Sequence, residues 1–226
     1  MFIVFETRLV FKMNIPNPHV PVFIPFGYTG VGKTMLVQRL VRYVSGDRKA
    51  TINTFDNETI LLKVHDRGEC KEFCFLDMSG NRFEDNFVKN QLSLAPNPKI
   101  WGFMVEYDAH QHVSGRNEYI KLVHSYVSDV LKSNDRVLVI CNKMDQVVNK
   151  LTPKELIYYV ENYYPDFLEP FKRTSFISKL LCGKYSFKII PFSSGCFFEK
   201  LDNQMLFVKG PDDYPKLLWN EIKKVK

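Results

Sequence analysis

The stretch at residues 27–34, Gly-Tyr-Thr-Gly-Val-Gly-Lys-Thr, constrains the fold of this chain more than any other feature. It fits the phosphate-binding loop pattern G-x-x-x-x-G-K-[ST], in which glycines let backbone N–H groups close around phosphate oxygens at the start of a helix. Lys33 would bring a charge to the β- and γ-phosphates, and the Thr34 hydroxyl would bind Mg²⁺. The residues predicted to hold the nucleotide here are Gly27, Tyr28, Thr29, Gly30, Val31, Gly32, Lys33 and Thr34.

A second motif, Asn142-Lys143-Met144-Asp145, predicts that the bound nucleotide carries guanine. Asp145 can accept hydrogen bonds from the N1–H and the exocyclic amine of guanine, and adenine has no such pair of donors. A wrong base would leave a desolvated carboxylate unpaired, which costs roughly 1–3 kcal/mol or more. Asn142 and Lys143 belong to the same predicted site. The expected ligands are therefore GTP and GDP with Mg²⁺.

A third motif, Asp77-Met-Ser-Gly80, fits the D-x-x-G pattern. Asp77 is predicted to hold the water shell of the metal, and the Gly80 amide to sense the γ-phosphate. A threonine between Thr34 and Asp77 would cover Mg²⁺ and the γ-phosphate. Thr54 is the first candidate and Thr51 the second. For each of them, the equal alternative is that it is merely an exposed threonine in a loop.

A fourth segment, Ser193-Ser194-Gly195, follows the last predicted strand. A backbone amide at Ser193 or Ser194 could bind the O6 atom of guanine at that position. The alternative is that Ser-Ser-Gly is an ordinary turn.

The remaining pattern predicts an α/β fold, with a mostly parallel six-stranded sheet flanked by helices. The strands are predicted at 20–26, 59–64, 72–77, 100–108, 137–142 and 187–192, so that each ends where a ligand-binding loop should begin. Pro25 is unusual in a central strand, and it indicates either a locally irregular strand end or a misplaced boundary. A capping box at 152–155 starts a helix to about residue 164. A final helix should bury one face, formed by Tyr214, Leu217, Leu218, Ile222 and Val225.

Length and composition indicate one domain. The 226 residues, 45% of them hydrophobic, can form a single sizeable core at 20–226, preceded by an extension at 1–19. The five cysteines form no C-x-x-C pair, which fits a reducing compartment and gives no sign of a zinc site. The apolar run at the start is too short for a membrane span, so we expect any membrane association to be indirect. The net charge of +6 favours an anionic partner such as a membrane surface or RNA, but lysines at a chain end are more often solubilising, so we expect no direct specific binding of nucleic acid.

With these motifs in order, residues 20–226 resemble the small GTPases of the Ras and Arf type. Within them the chain looks most like the family of signal recognition particle receptor beta subunits. The narrower resemblance is carried by the stretch at 62–68, by the context of the base motif at 140–143, and by a long segment before the last strand. That segment contains an insertion at about 165–185, which should pack because it includes Phe167, Leu168, Phe171, Phe176, Ile177, Leu180 and Leu181.

The resemblance implies a subunit that holds an alpha partner at the cytoplasmic face of the endoplasmic reticulum, for protein targeting during translation. A peripheral or a cytosolic location would fit. Three classes compete: a GTP-dependent docking module, a cycling trafficking GTPase, and a P-loop ATPase or kinase. The base motif argues against the third class.

The residue after the D-x-x-G glycine predicts slow hydrolysis. Small GTPases usually carry glutamine there, and the receptor family histidine, to orient the attacking water, whereas this chain has Asn81. The shorter side chain of Asn81 cannot easily reach the same water. Thr29 stands where Ras-type enzymes carry glycine, and it would crowd the same space. The alternative is that Asn81 is only a surface residue and the water is positioned from elsewhere.

Overall fold

The structure, a computed structural model, describes residues 18–47, 50–54, 59–66, 69–107, 113–144, 151–175, 184–193, 195–199, 205–209 and 213–224. Nine strands are assigned within these ranges: β1 (Val22–Phe26), β2 (Ala50–Thr54), β3 (Thr59–Asp66), β4 (Glu69–Leu76), β5 (Lys99–Glu106), β6 (Arg136–Asn142), β7 (Lys188–Pro191), β8 (Gly195–Glu199) and β9 (Met205–Lys209). The main helices are α1 (Lys33–Asp47), α2 (Asn86–Leu94), α3 (Val113–Asp129), α4 (Pro153–Tyr163) and α5 (Asp213–Ile222).

Seven of these strands form one sheet in the order β2-β3-β4-β1-β5-β6-β7. The pairings β2–β3 and β3–β4 are antiparallel, and the four pairings from β4 to β7 are parallel. The predicted α/β fold with a mostly parallel sheet is confirmed, and all six predicted strands are present. The additional strand, β2, lies at the edge of the sheet, and β8 and β9 pair as a separate antiparallel hairpin.

Helices cover both faces of the sheet, and each face has its own apolar cluster. Helices α1 and α5 pack on one face with Phe23 of β1, whereas α2, α3 and α4 pack on the other with Ile24 and Phe26. Neighbouring residues of β1 point to opposite faces, as the period of two in a strand requires. Since both faces are covered, the carboxyl ends of the parallel strands form the open edge where the loops lie.

Pro25 is accommodated in the centre of the sheet by the register of β1. The N–H of Val22 bonds to the Pro98 carbonyl before β5. The backbone groups of successive residues in a strand point alternately to the two neighbouring strands, so those of Pro25 point toward β4. The ladder between β1 and β4 ends at Phe23 opposite Phe75. The missing N–H of Pro25 therefore costs no ladder hydrogen bond. Strand β1 ends at Phe26, as predicted.

The capping box of α4 is present as predicted. Thr152 Oγ1 accepts a 3.3 Å hydrogen bond from the N–H of Glu155, whose carboxylate accepts one of 2.6 Å from the N–H of Thr152. After α4, Phe167, Leu168 and Phe171 are buried in the core, which agrees with an insertion that packs. Its other apolar residues lie outside the described residues.

The predicted face of the last helix is partly wrong. Leu218 and Ile222 are fully buried, but Leu217 is 48% exposed and Val225 lies outside the described residues. Trp219, which the predicted face omits, is only 2% exposed and packs edge-on against Phe73 with 4.8 Å between ring centroids. The buried face of α5 is therefore rotated toward Trp219, because the large indole fills the space above β4.

Candidate nucleotide-binding site

The phosphate loop joins β1 to α1 at the open edge of the sheet. Gly30 and Gly32 have φ values of +89° and +96°, which residues with a Cβ adopt only under strain. A Cβ on Gly32 would also lie 2.5 Å from the amide nitrogen of Asn142. Glycine at position 32 is thus required twice, by the backbone and by the contact with the base motif.

Lys33 is buried in this loop. Its Nζ donates hydrogen bonds of 2.8 Å and 3.0 Å to the carbonyl oxygens of Gly27 and Tyr28, and the residue is 6% exposed. Burial lowers the pKa of Lys33 to about 8, although the charge of Asp77 opposes that shift. A desolvated ammonium held at the start of a helix fits an anionic ligand such as a phosphate.

Thr34 and Asp77 lie together beside the loop. The Thr34 hydroxyl donates a 3.0 Å hydrogen bond to Asp77 Oδ1. Burial raises the pKa of the Asp77 carboxyl, while the bond from Thr34 and the charge of Lys33 lower it. A hydroxyl and a carboxylate oxygen at this spacing are ligands that suit Mg²⁺.

The structure places the two candidate threonines, Thr51 and Thr54, in β2 rather than in a loop. Their backbone pairs with Lys63 and Ile60 of β3. Three of the five residues in Ala-Thr-Ile-Asn-Thr are β-branched, which favours a strand, but the polar content of the segment resembles that of a loop. The part that either threonine takes in metal binding stays a prediction.

Gly80 and Asn81 begin a 3-10 helix, Gly80–Glu84, that packs on the phosphate loop. A Cβ on Gly80 would lie 2.8 Å from the backbone nitrogen of Thr29. The Thr29 hydroxyl donates a 3.1 Å hydrogen bond to Asn81 Oδ1. The two residues that were predicted to interfere with hydrolysis are therefore in direct contact.

The base motif begins at the end of β6. Asn142 Nδ2 donates a 2.8 Å hydrogen bond to the carbonyl of Val31 and so joins the motif to the phosphate loop. Lys143 follows with a φ of +63°, a left-handed conformation that directs its side chain into an ion pair with Glu106. Asp145, the predicted base reader, lies outside the described residues.

The segment after β7 lies beside the base motif. The N–H of Phe192 donates to the Cys141 carbonyl at 2.7 Å, and the N–H of Met144 donates to the Phe192 carbonyl at 3.1 Å. Ser193 is fully buried, and its Oγ accepts a 3.2 Å hydrogen bond from the N–H of Gly195. Ser194 lies outside the described residues, so the contact with guanine O6 stays a prediction.

Glu106 lies in the candidate site, although no sequence motif indicated it. It ends β5, is 1% exposed, and touches Tyr28 as well as Lys143. One signal could have identified it: a carboxylate that ends an apolar strand, at the edge of the sheet where ligands bind.

Comparisons with known proteins add little to this geometry. No family model matches the chain, and no curated protein matches it. Among solved structures, a chain described as nucleolar GTP-binding protein 1 from Plasmodium falciparum is similar, with 18% identity over 92% of this chain and 88% of that one and a TM-score of 0.47. A similarity this low supports no functional assignment, and the topology above establishes the α/β fold.

Two further features are absent from the described residues. Within those residues, no helix combines the length and apolar character needed to span a membrane. The same part of the chain contains no group of three or more His, Cys, Asp or Glu side chains arranged to hold a metal ion.

Proposed function

We propose that this protein binds GTP and GDP together with Mg²⁺. The observation that carries the proposal is the hydrogen bond from Asn142 to Val31, because it joins the base motif to a phosphate loop 111 residues earlier in the chain. Two motifs far apart in the sequence are thereby in direct contact, which supports a common site. The Asp145 carboxylate, two residues after Lys143, is the group that would select guanine.

The residues around the loop fit the charged part of the ligand. Lys33 would bind phosphate oxygens, and Thr34 and Asp77 would hold Mg²⁺, with Thr54 the candidate for a further contact. The metal, when bound, neutralises charge on the phosphates. The backbone N–H groups of the loop would do the same for the remaining oxygens.

Slow hydrolysis of GTP to GDP and phosphate is part of the proposal. The support is the bond between Thr29 and Asn81, which occupies the side chain that would otherwise orient water. A protein with this arrangement would stay in the GTP state unless a partner intervened, which suits a docking module better than a rapidly cycling enzyme.

The resemblance to signal recognition particle receptor beta subunits supports a narrower proposal. The protein would hold an alpha subunit of that receptor at the cytoplasmic face of the endoplasmic reticulum, with its membrane association inherited from the complex. The contact would involve β2 near Thr54 and the residues at 79–83, which the γ-phosphate should order. The alternative is a cycling Ras- or Arf-like trafficking GTPase.

Competition binding tests the nucleotide proposal. We expect GTP and GDP to displace a fluorescent guanine nucleotide in Mg²⁺, with ATP weaker by at least about a hundredfold. Thr34→Asn should lose the Mg²⁺-dependent part of triphosphate binding, since an amide replaces the hydroxyl ligand. Equal displacement by ATP and GTP would contradict the guanine assignment.

Co-purification tests the partner. A protein loaded with a non-hydrolysable GTP analogue should retain a receptor alpha homologue, and the GDP form should not. Equal retention of that homologue in both forms would contradict the docking proposal. Capture of a nucleotide exchange or GTPase-activating factor in its place would favour the cycling alternative.

A further inference from the structure

Glu106 places a buried carboxylate between the two halves of the candidate nucleotide site. Its Oε1 accepts a 2.5 Å hydrogen bond from the hydroxyl of Tyr28, the second residue of the phosphate loop. Its Oε2 forms an ion pair with Nζ of Lys143, the second residue of the base motif. One side chain thus contacts both motifs directly.

The backbone of Glu106 is held as firmly as its side chain. It pairs in register with Asn142 of β6. Its N–H donates a 3.1 Å hydrogen bond to the Tyr164 hydroxyl, and its carbonyl accepts bonds of 3.2 Å from Tyr164 and 3.3 Å from Tyr159. These bonds fix the backbone position from which the carboxylate extends, and so they limit where the groups bonded to the carboxylate can lie.

Lys143 connects Glu106 to the base motif. Its left-handed backbone turns the chain immediately after Asn142, and Asp145 follows two residues later. Because the Lys143 side chain pairs with Glu106, which also binds Tyr28, this part of the base motif is connected to the phosphate loop.

We infer that Glu106 is a positioning residue for guanine recognition: its carboxylate holds Tyr28 and Lys143 at a fixed separation, so that base and phosphate contacts form together. The inference rests on the proposed binding of GTP. Stability alone does not account for a carboxylate here, because apolar side chains of similar volume often stabilise a fold at least as well as a buried ion pair.

Glu106→Gln tests this role, since it keeps the shape and removes the charge. The readout is the dissociation rate of fluorescent GDP and of the inosine analogue IDP, which lacks the exocyclic amine that Asp145 would read. We expect GDP to dissociate about tenfold faster from the variant, in keeping with the loss of one charge-assisted bond. The IDP rate should change less, so that the ratio of the two rates moves toward one.

The chain offers a matched control in Glu161→Gln. Glu161 of α4 also binds a lysine and a tyrosine, Lys184 at 2.7 Å and Tyr185, but it lies outside the candidate site. This variant should leave both dissociation rates unchanged. If Glu106→Gln does not fold, Tyr28→Phe removes one partner of the same carboxylate and should shift the rate ratio in the same direction.

Two results would overturn the inference, and they are distinguishable. Equal acceleration of GDP and IDP release, with a lower melting temperature in the absence of nucleotide, would show that Glu106 only stabilises the fold. Failure of the unmodified protein to prefer GDP over ADP would contradict the proposed function itself, and this inference with it.

Discussion

The hydrogen bond between Thr29 and Asn81 sets the expected rate of hydrolysis. It holds the Asn81 side chain against the phosphate loop at 3.1 Å. We expect preloaded GTP to be hydrolysed no faster than about 10⁻⁴ per second without a partner. Thr29→Gly releases Asn81, and Asn81→Gln extends its reach, so each should raise the single-turnover rate roughly tenfold. A rate in the unmodified protein well above the unassisted baseline would contradict this role.

Lys33 gives nucleotide binding a predictable pH dependence. Burial lowers its pKa to about 8, and a bound phosphate favours the ammonium form. Affinity for GTP should be nearly constant below about pH 8 and fall by up to about tenfold per pH unit above it, because binding must then take up a proton. Titration calorimetry in two buffers of different ionisation enthalpy measures that uptake directly. Binding near pH 9 without proton uptake would contradict a lowered pKa.

The same lowered pKa has the opposite effect on the stability of the nucleotide-free protein: stability rises with pH, whereas affinity for GTP falls. The unfolded chain keeps the lysine proton to a higher pH than the folded chain does, since the pKa is about 8 when folded and 10.5 as a free side chain. The contribution of Lys33 to the free energy of unfolding therefore rises with pH between those two values. Charged Lys33 thus destabilises the empty site at neutral pH, and a bound phosphate relieves that cost.

Among the residues of the site, those in the phosphate loop and the D-x-x-G motif were predictable because their spacing along the chain reflects local geometry. Glu106 was not, because its contacts with Tyr28 and Lys143 depend on how β5 lines up with β1 and β6. Register between strands is fixed by packing across the whole sheet, and a single sequence does not contain it explicitly.

Among the elements, the six core strands and the capping box of α4 could be predicted from apolar runs and from a local side-chain pattern. Strand β2 could not be predicted in this way, because it contains no apolar run and is stabilised by its pairing with β3. The β8–β9 hairpin was also missed. Its two strands pair with each other, and a single sequence does not specify that pairing.

The rotated face of α5 gives a test of its packing. Trp219→Ala should destabilise the fold by about 3–5 kcal/mol, because it removes a buried indole from its contact with Phe73. Leu217→Ala, at a half-exposed position two residues earlier in the same helix, should cost less than about 1 kcal/mol. Urea unfolding of both variants measures the difference. Similar losses would mean that the face predicted from the sequence, with Leu217 inward, is correct after all.

At the scale of the whole molecule, loops from several strands meet at the carboxyl ends of the parallel sheet, and we propose that they form one guanine-nucleotide site. The bonds from Asn142 to Val31 and from Thr34 to Asp77 connect three motifs that lie far apart in the chain. Motifs that matched by chance would not be expected to lie in contact with one another. In the proposed function, selection of the base depends on one group, the carboxylate of Asp145.

Substitution of Asp145 by asparagine probes the proposed guanine site at the group that would read the base. An amide reverses one hydrogen-bonding position facing the base, so Asp145→Asn should weaken GTP binding by at least about tenfold. The same variant should gain affinity for xanthosine triphosphate, whose carbonyl replaces the amine of guanine. Equilibrium binding of both nucleotides to both proteins, in Mg²⁺, gives the answer. We expect the variant to gain affinity for the xanthosine nucleotide relative to GTP, and unchanged selectivity for GTP would show that Asp145 does not read the base.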